Sequence, residues 1–187
     1  MVLIIKVYVM GKIKILMLVV VSLLLTNSCY DDEGVTSVES GAKIAKQKGV
    51  TLKFGRYFGK CQGKNLCVEI FMLQENKLRE DISDTYPLSN QFYKGVFVPV
   101  KGVSNISTEE LLLEFPIKLL ETKATYNRIG MPDAGDWGGI YVEYEDYEHH
   151  KQFLIDLNTN NIPKYLKSYV YLIDEKINEI GDVNNQN

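Results

Sequence analysis

The apolar positions of this chain follow two periods. Val50, Leu52 and Phe54 alternate with Thr51 and Lys53, the pattern of a half-buried strand. From Leu66 to Leu73, the residues Leu66, Val68, Ile70 and Met72 fall on one face, which predicts a second strand paired with the first. Glycines 55, 59 and 63 lie at or between these strands and argue for a loop or a bulged strand end there. Gln74 to Asn76 reads as a turn into a third strand over 77–82, and 95–100 reads as a fourth. Further on, Ile140, Val142 and Tyr144 alternate with Tyr141, Glu143 and Glu145. The stretch 152–157 then supplies the partner strand of a second hairpin, across an exposed charged bend.

A helical period appears twice. Ser107, Thr108, Glu109 and Glu110 form a capping box, so a helix is predicted from about Thr108. Its apolar stripe is Leu111, Leu112, Phe115, Leu119 and Leu120, and Pro116 should kink or break it. The last helix is predicted from Asn161 as cap, with Pro163 in the first turn and Gly181 at the end. Leu166, Tyr169, Val170, Ile173, Ile177 and Ile180 form its buried face. Strands, helix, strands, helix in that order predict an α+β domain over 50–182, followed by a disordered tail at 183–187. Its antiparallel sheet is built from two hairpin units, with two helices packed on one face.

Residues 1–28 stand apart from this pattern. Lys12 and Lys14 precede an apolar run of about 11 residues, well short of the roughly 20 that a helix needs to span a bilayer, and a signal peptide is the expected reading. Met10 competes with Met1 as the true start. The run ends in Leu25-Thr26-Asn27-Ser28-Cys29, which resembles the lipobox of bacterial lipoproteins, although Asn27 is larger than the pattern prefers. Tyr30-Asp31-Asp32-Glu33 is similar to the short acidic signal that exports some Gram-negative lipoproteins to the cell surface. The resemblance implies cleavage before Cys29, acylation with palmitate-type chains at that cysteine, and a lipid anchor in the outer membrane. Residues 29–49 would then form a flexible tether. The order of elements over 50–181 also resembles small lipoprotein domains of uncharacterised function, which implies a fold and no chemistry.

With Cys29 given to lipid, Cys61 and Cys67 remain as an even pair for an oxidising compartment, and a bridge between them would staple the mouth of the first hairpin. The competing reading is a pair of metal-binding thiolates, but no second Cys or His pair stands at matching spacing. Loss of the leader removes Lys6, Lys12 and Lys14 and no acidic residue, taking the formal charge from −3 to −6. Nucleic acid is therefore excluded as an expected partner.

The segment Gly130 to Gly139 holds the only Trp, two Asp and four Gly. Asp133 and Asp136, joined by Glu143, are candidate ligands for calcium, although their spacing fits no EF-hand. The same carboxylates are candidates for the acid and base of a glycosidase. The plain alternative is that these Asp residues bond their own backbone in a turn. Trp137 is either a recognition anchor or a plug over the sheet edge. Tyr141, Tyr144, Tyr147, Tyr165, Tyr169 and Tyr171 suit a binding surface, and suit strands and a helix stripe equally. His149 and His150 would point to opposite faces of a strand and make a poor joint ligand pair. No nucleophile elbow, P-loop or dinucleotide fingerprint is present.

These features lead to an expected non-enzymatic lipoprotein that binds a protein or glycan partner, as an envelope-complex subunit or an inhibitor of the immunity type. The alternative is a small carboxylate-dependent hydrolase acting on glycan or peptide.

Overall fold

The computed structural model describes residues 49–59, 67–101 and 108–184, with the backbone alone at 182–184. The chain divides into two compact units, Met1–Gly34 and Val35–Asn187, and all described residues belong to the second. The leader, Cys29, the segment 30–33, Cys61 and Ser107 lie outside the described residues.

Seven strands form one sheet. They are β1 (Thr51–Tyr57), β2 (Val68–Gln74), β3 (Lys77–Asp81), β4 (Phe97–Pro99), β5 (Tyr126–Ile129), β6 (Gly139–Glu145) and β7 (His150–Ile155), in the spatial order β4-β3-β2-β1-β6-β7-β5. Every neighbouring pair is antiparallel except β5 and β7, which run parallel. Among the described residues the sheet is accompanied by two helices, α1 (Glu109–Leu113) and α2 (Lys164–Asn184). The architecture is α+β, with a mostly antiparallel sheet and two helices packed against it.

The alternation of apolar residues decides which face carries the main core. Leu52 and Phe54 of β1, Phe71 and Leu73 of β2, Ile140, Val142 and Tyr144 of β6, and Phe153 and Ile155 of β7 are buried in one cluster. Leu166, Tyr169, Val170, Ile173, Ile177 and Ile180 of α2 fill it from above. Leu111, Leu112 and Phe115 join from the α1 region, and the Tyr169 hydroxyl donates to the Leu111 carbonyl at 3.1 Å.

Val68 and Ile70 share one face of β2, as the pattern predicts, while Phe71 and Leu73 meet the main core. Val68 and Ile70 face the opposite side, where they are also buried. That second face has its own smaller cluster, made by Tyr57, Val68, Ile70, Tyr93, Tyr141 and Leu154. Among the described residues its cover is the irregular strap 82–96 between β3 and β4, which lays Tyr86 and Tyr93 over the sheet.

A single buried carboxylate fastens the strap at both ends. Asp81 accepts from the Ser83 amide and hydroxyl and the Asp84 amide on one side. On the other it accepts from the Tyr93 hydroxyl and the Val96 amide, each at 2.6 Å. Gly95 is the residue that fits there, since a Cβ at that position would stand 2.4 Å from the Asp81 carboxylate.

Several boundaries differ from the pattern. Thr108 makes no side-chain cap bond, and α1 is one turn and a half long because Pro116 ends it, as expected, before a 3-10 turn at Ile117–Leu119. Asn161 does not cap α2. Its side chain bonds Asp156, and the Pro163 carbonyl accepts the first helical bond, from the Leu166 amide. Gly181 does not stop the helix, which continues to Asn184.

The expected lipid anchor at Cys29 and the expected Cys61 to Cys67 staple each involve a residue outside the described ones. No helix among the described residues is long and apolar enough to cross a membrane. Cys67 is disulfide-bonded, Cys61 lies outside the described residues, and at the hairpin mouth the Phe58 amide donates to the Cys67 carbonyl at 2.8 Å.

Candidate functional site

The strand register gathers polar side chains on the strap-covered face. Lys53 of β1 stands opposite Glu143 of β6, which stands opposite Gln152 of β7. One step along, Glu145 stands opposite His150. Residues two apart on a strand share a face, so all five project to the same side. The bend Asp146–His149 sets this pairing: Asp146 accepts from the amides of Glu148 and His149, and its own amide donates to the His149 carbonyl. His149 folds back onto Asp146, and His150 points to Glu143, so the adjacent histidines serve different places.

Glu143 is the centre of the site. It is 1% exposed, and both its oxygens are filled. Oε1 accepts from Lys53 Nζ at 2.8 Å and His150 Nε2 at 2.9 Å. Oε2 accepts from the Tyr93 amide at 3.0 Å and from the Tyr141 hydroxyl. Burial alone would raise the pKa of this carboxyl. Hydrogen bonds from His150, Lys53 and Tyr141, with the Lys53 charge, outweigh it and hold the group below the ordinary glutamate range. Burial and the neighbouring carboxylate raise the Tyr141 hydroxyl far above the usual phenol range, so it stays a proton donor.

The surroundings open to solvent on one side. The His150 side chain is 35% exposed and that of Glu145 is 49% exposed, with His150 Nε2 at 3.9 Å from Glu145 Oε2. The His150 ring lies flat against Phe92 of the strap, 3.4 Å between centroids and 5° between planes, and Phe92 also touches Tyr126. Gln152 is 1% exposed; its Nε2 donates to the Leu88 carbonyl, while its Oε1 has no hydrogen-bond partner among the described residues.

One ligating atom each from Glu143, Glu145 and His150 lies within 4.8 Å of the other two. Atoms bound to one cation at about 2.0–2.2 Å stand about 2.8–3.6 Å apart in octahedral or tetrahedral geometry, so small side-chain shifts would close this set around a metal. Two carboxylates and an imidazole suit a divalent ion of intermediate hardness, such as zinc or manganese. Three protein ligands also leave positions for water or substrate, the pattern of catalytic rather than structural centres.

The loop that sequence reasoning favoured is built differently. Asp133 and Asp136 adopt left-handed backbone, each with φ 65°, and shape a turn: the Asp133 amide donates to the Gly138 carbonyl and the Asp136 amide to the Asp133 carbonyl. Asp133 Oδ1 also accepts from the Tyr86 hydroxyl at 2.8 Å. This turn precedes Gly139, the start of β6, and Glu143 comes four residues later, about 13 Å along an extended strand. Asp133, Asp136 and Glu143 therefore do not form one calcium site or one glycosidase pair, and of the three only Glu143 joins the cluster. Trp137 does not plug the sheet edge, being 78% exposed.

Glu145, His150, Lys53, Tyr93 and Tyr141 were not singled out as a site by the sequence pattern. The available signal was the tight hairpin itself, since a four-residue bend between Glu145 and His150 places them opposite each other. Comparison of the chain with protein-family models, with curated proteins and with solved structures returned no match.

Proposed function

We propose that this protein is a small metal-dependent hydrolase whose centre is Glu143, Glu145 and His150. The observation that carries this reading is the convergence of three ligating atoms within 4.8 Å, one on a wholly buried carboxylate and two on side chains open to solvent. A zinc ion held there would lower the pKa of a bound water towards about 7, and either divalent ion would polarise the bond to be cleaved. The buried, charge-stabilised Glu143 anchors the ion, and the Phe92 ring fixes the plane of the His150 imidazole. The substrate class is a glycan or peptide, reached from the side where His150 and Glu145 are exposed. The test is hydrolysis of polysaccharide and peptide panels with zinc or manganese added. Turnover that disappears with chelator and in His150→Ala supports the reading; turnover indifferent to both, or none on any panel member with metal bound, counts against it.

A second reading, a binding protein without catalysis, is supported by Trp137. A Trp 78% exposed on a turn closed by backbone hydrogen bonds is a rigid aromatic anchor for a partner. Recovery of a partner by the wild type and its loss in Trp137→Ala would favour that role.

A further inference from the structure

Glu143 Oε1 is the oxygen a metal would take, because Oε2 is occupied by the Tyr93 amide and the Tyr141 hydroxyl. Oε1 already meets a full positive charge, the Lys53 ammonium at 2.8 Å. We infer that Lys53 is a resident cation which competes with the metal for Glu143 and so sets the affinity of the site. The inference rests on the metal centre proposed above.

Three observations support it. Lys53 lies in the middle of β1, paired on both sides, so its stem cannot leave this face of the sheet. Its side chain is only 14% exposed, so water screens its charge poorly. It also has a second acceptor, the Tyr93 carbonyl at 3.1 Å, to which the ammonium can tilt when a metal claims Oε1. In the metal-free protein Lys53 thus compensates the buried Glu143 charge, and in the loaded protein it remains close by as a like charge that weakens retention. The site would hold an ion reversibly and favour ions abundant enough to displace an ammonium.

The test is calorimetric titration of the full chain with Mn²⁺ and with Zn²⁺, comparing wild type, Lys53→Gln and Lys53→Arg. Gln removes the charge and keeps an amide donor; Arg keeps the charge. The Gln variant is expected to bind about 10- to 100-fold tighter, the size by which neighbours of metal ligands usually change affinity, and the Arg variant no tighter than wild type. Wild-type binding with an equal or weaker Gln variant overturns the role of Lys53 and leaves the metal centre standing. Absence of binding in all three folded proteins overturns the metal centre, and the inference with it. Should the Gln variant not fold, amine-selective labelling of wild-type Lys53, read by peptide mass spectrometry, decides. Metal should speed labelling by freeing the ammonium from Glu143, and an unchanged or slower rate overturns the inference.

Discussion

Replacing Glu143 with Gln changes one atom and sets the network against itself. The four groups around the carboxylate are the Lys53 ammonium, His150 Nε2, the Tyr93 amide and the Tyr141 hydroxyl. A Gln amide must place its NH2 towards one pair or the other. Facing Tyr93 and Tyr141, it can use a reversed hydroxyl but meets the Tyr93 N–H. Facing His150 and Lys53, it can use the other imidazole tautomer but meets the ammonium, which has no lone pair. Either way a donor opposes a donor, and in the second orientation Lys53 keeps only the Tyr93 carbonyl. Removing one partner of a buried ion pair costs about 3–5 kcal/mol, which for a domain of this size lowers Tm by roughly 10–20 °C.

The pH dependence has a definite sign. The carboxyl is held below its ordinary value of 4.5, so its stabilisation is complete above that pH and is lost as pH falls through the folded-state value. Guanidinium unfolding of wild type and Glu143→Gln between pH 3 and 7 should show the full stability difference near neutrality and a smaller one below about pH 4.5. A difference under about 1 kcal/mol at pH 7, or one that grows towards acid, would refute the reasoning.

Other perturbations separate the supports of the site. Asp81→Ala removes the acceptor that fastens both ends of the strap, and should cost about 2–4 kcal/mol and open 82–96 to limited proteolysis, read by cleavage mapping. Gly138→Ala should lower the yield of folded protein sharply or lower Tm by more than about 10 °C: the position has φ +77°, and a Cβ would stand 1.7 Å from the Tyr57 carbonyl oxygen. Trp137→Ala should leave stability within about 0.5 kcal/mol by denaturant titration, because the indole is mostly in water.

Much of the fold could be read from the chain because it follows from periodicity. The alternation at Val50 to Phe54 and at Ile140 to Tyr144 gave the two central strands, and the helical stripe from Leu166 to Ile180 gave the helix that covers them. β5 was not legible: Tyr126 to Ile129 is short, with no alternating apolar run, and it is held by parallel pairing to β7 that only the tertiary fold supplies. The strap was equally silent, since Tyr86 and Tyr93 carry no period and are half-buried and buried, respectively, by the sheet beneath them. Of the site, the candidate Glu143 was visible as an acidic residue on a strand, but its surroundings depend on register. Lys53 is ninety positions away in sequence and becomes its neighbour only when β1 pairs with β6. Asp133 and Asp136 drew attention by composition, and their left-handed backbone explains that composition as turn chemistry.

The metal centre is tested most directly by crystals soaked in Mn²⁺ or Zn²⁺ and measured at the absorption edge of the ion. The account predicts one anomalous peak about 2.0–2.2 Å from Glu143 Oε1, a Glu145 carboxylate oxygen and His150 Nε2, with Lys53 Nζ turned to the Tyr93 carbonyl. An anomalous map with no peak at these three residues, and Lys53 still bonded to Glu143 in saturating metal, would contradict it.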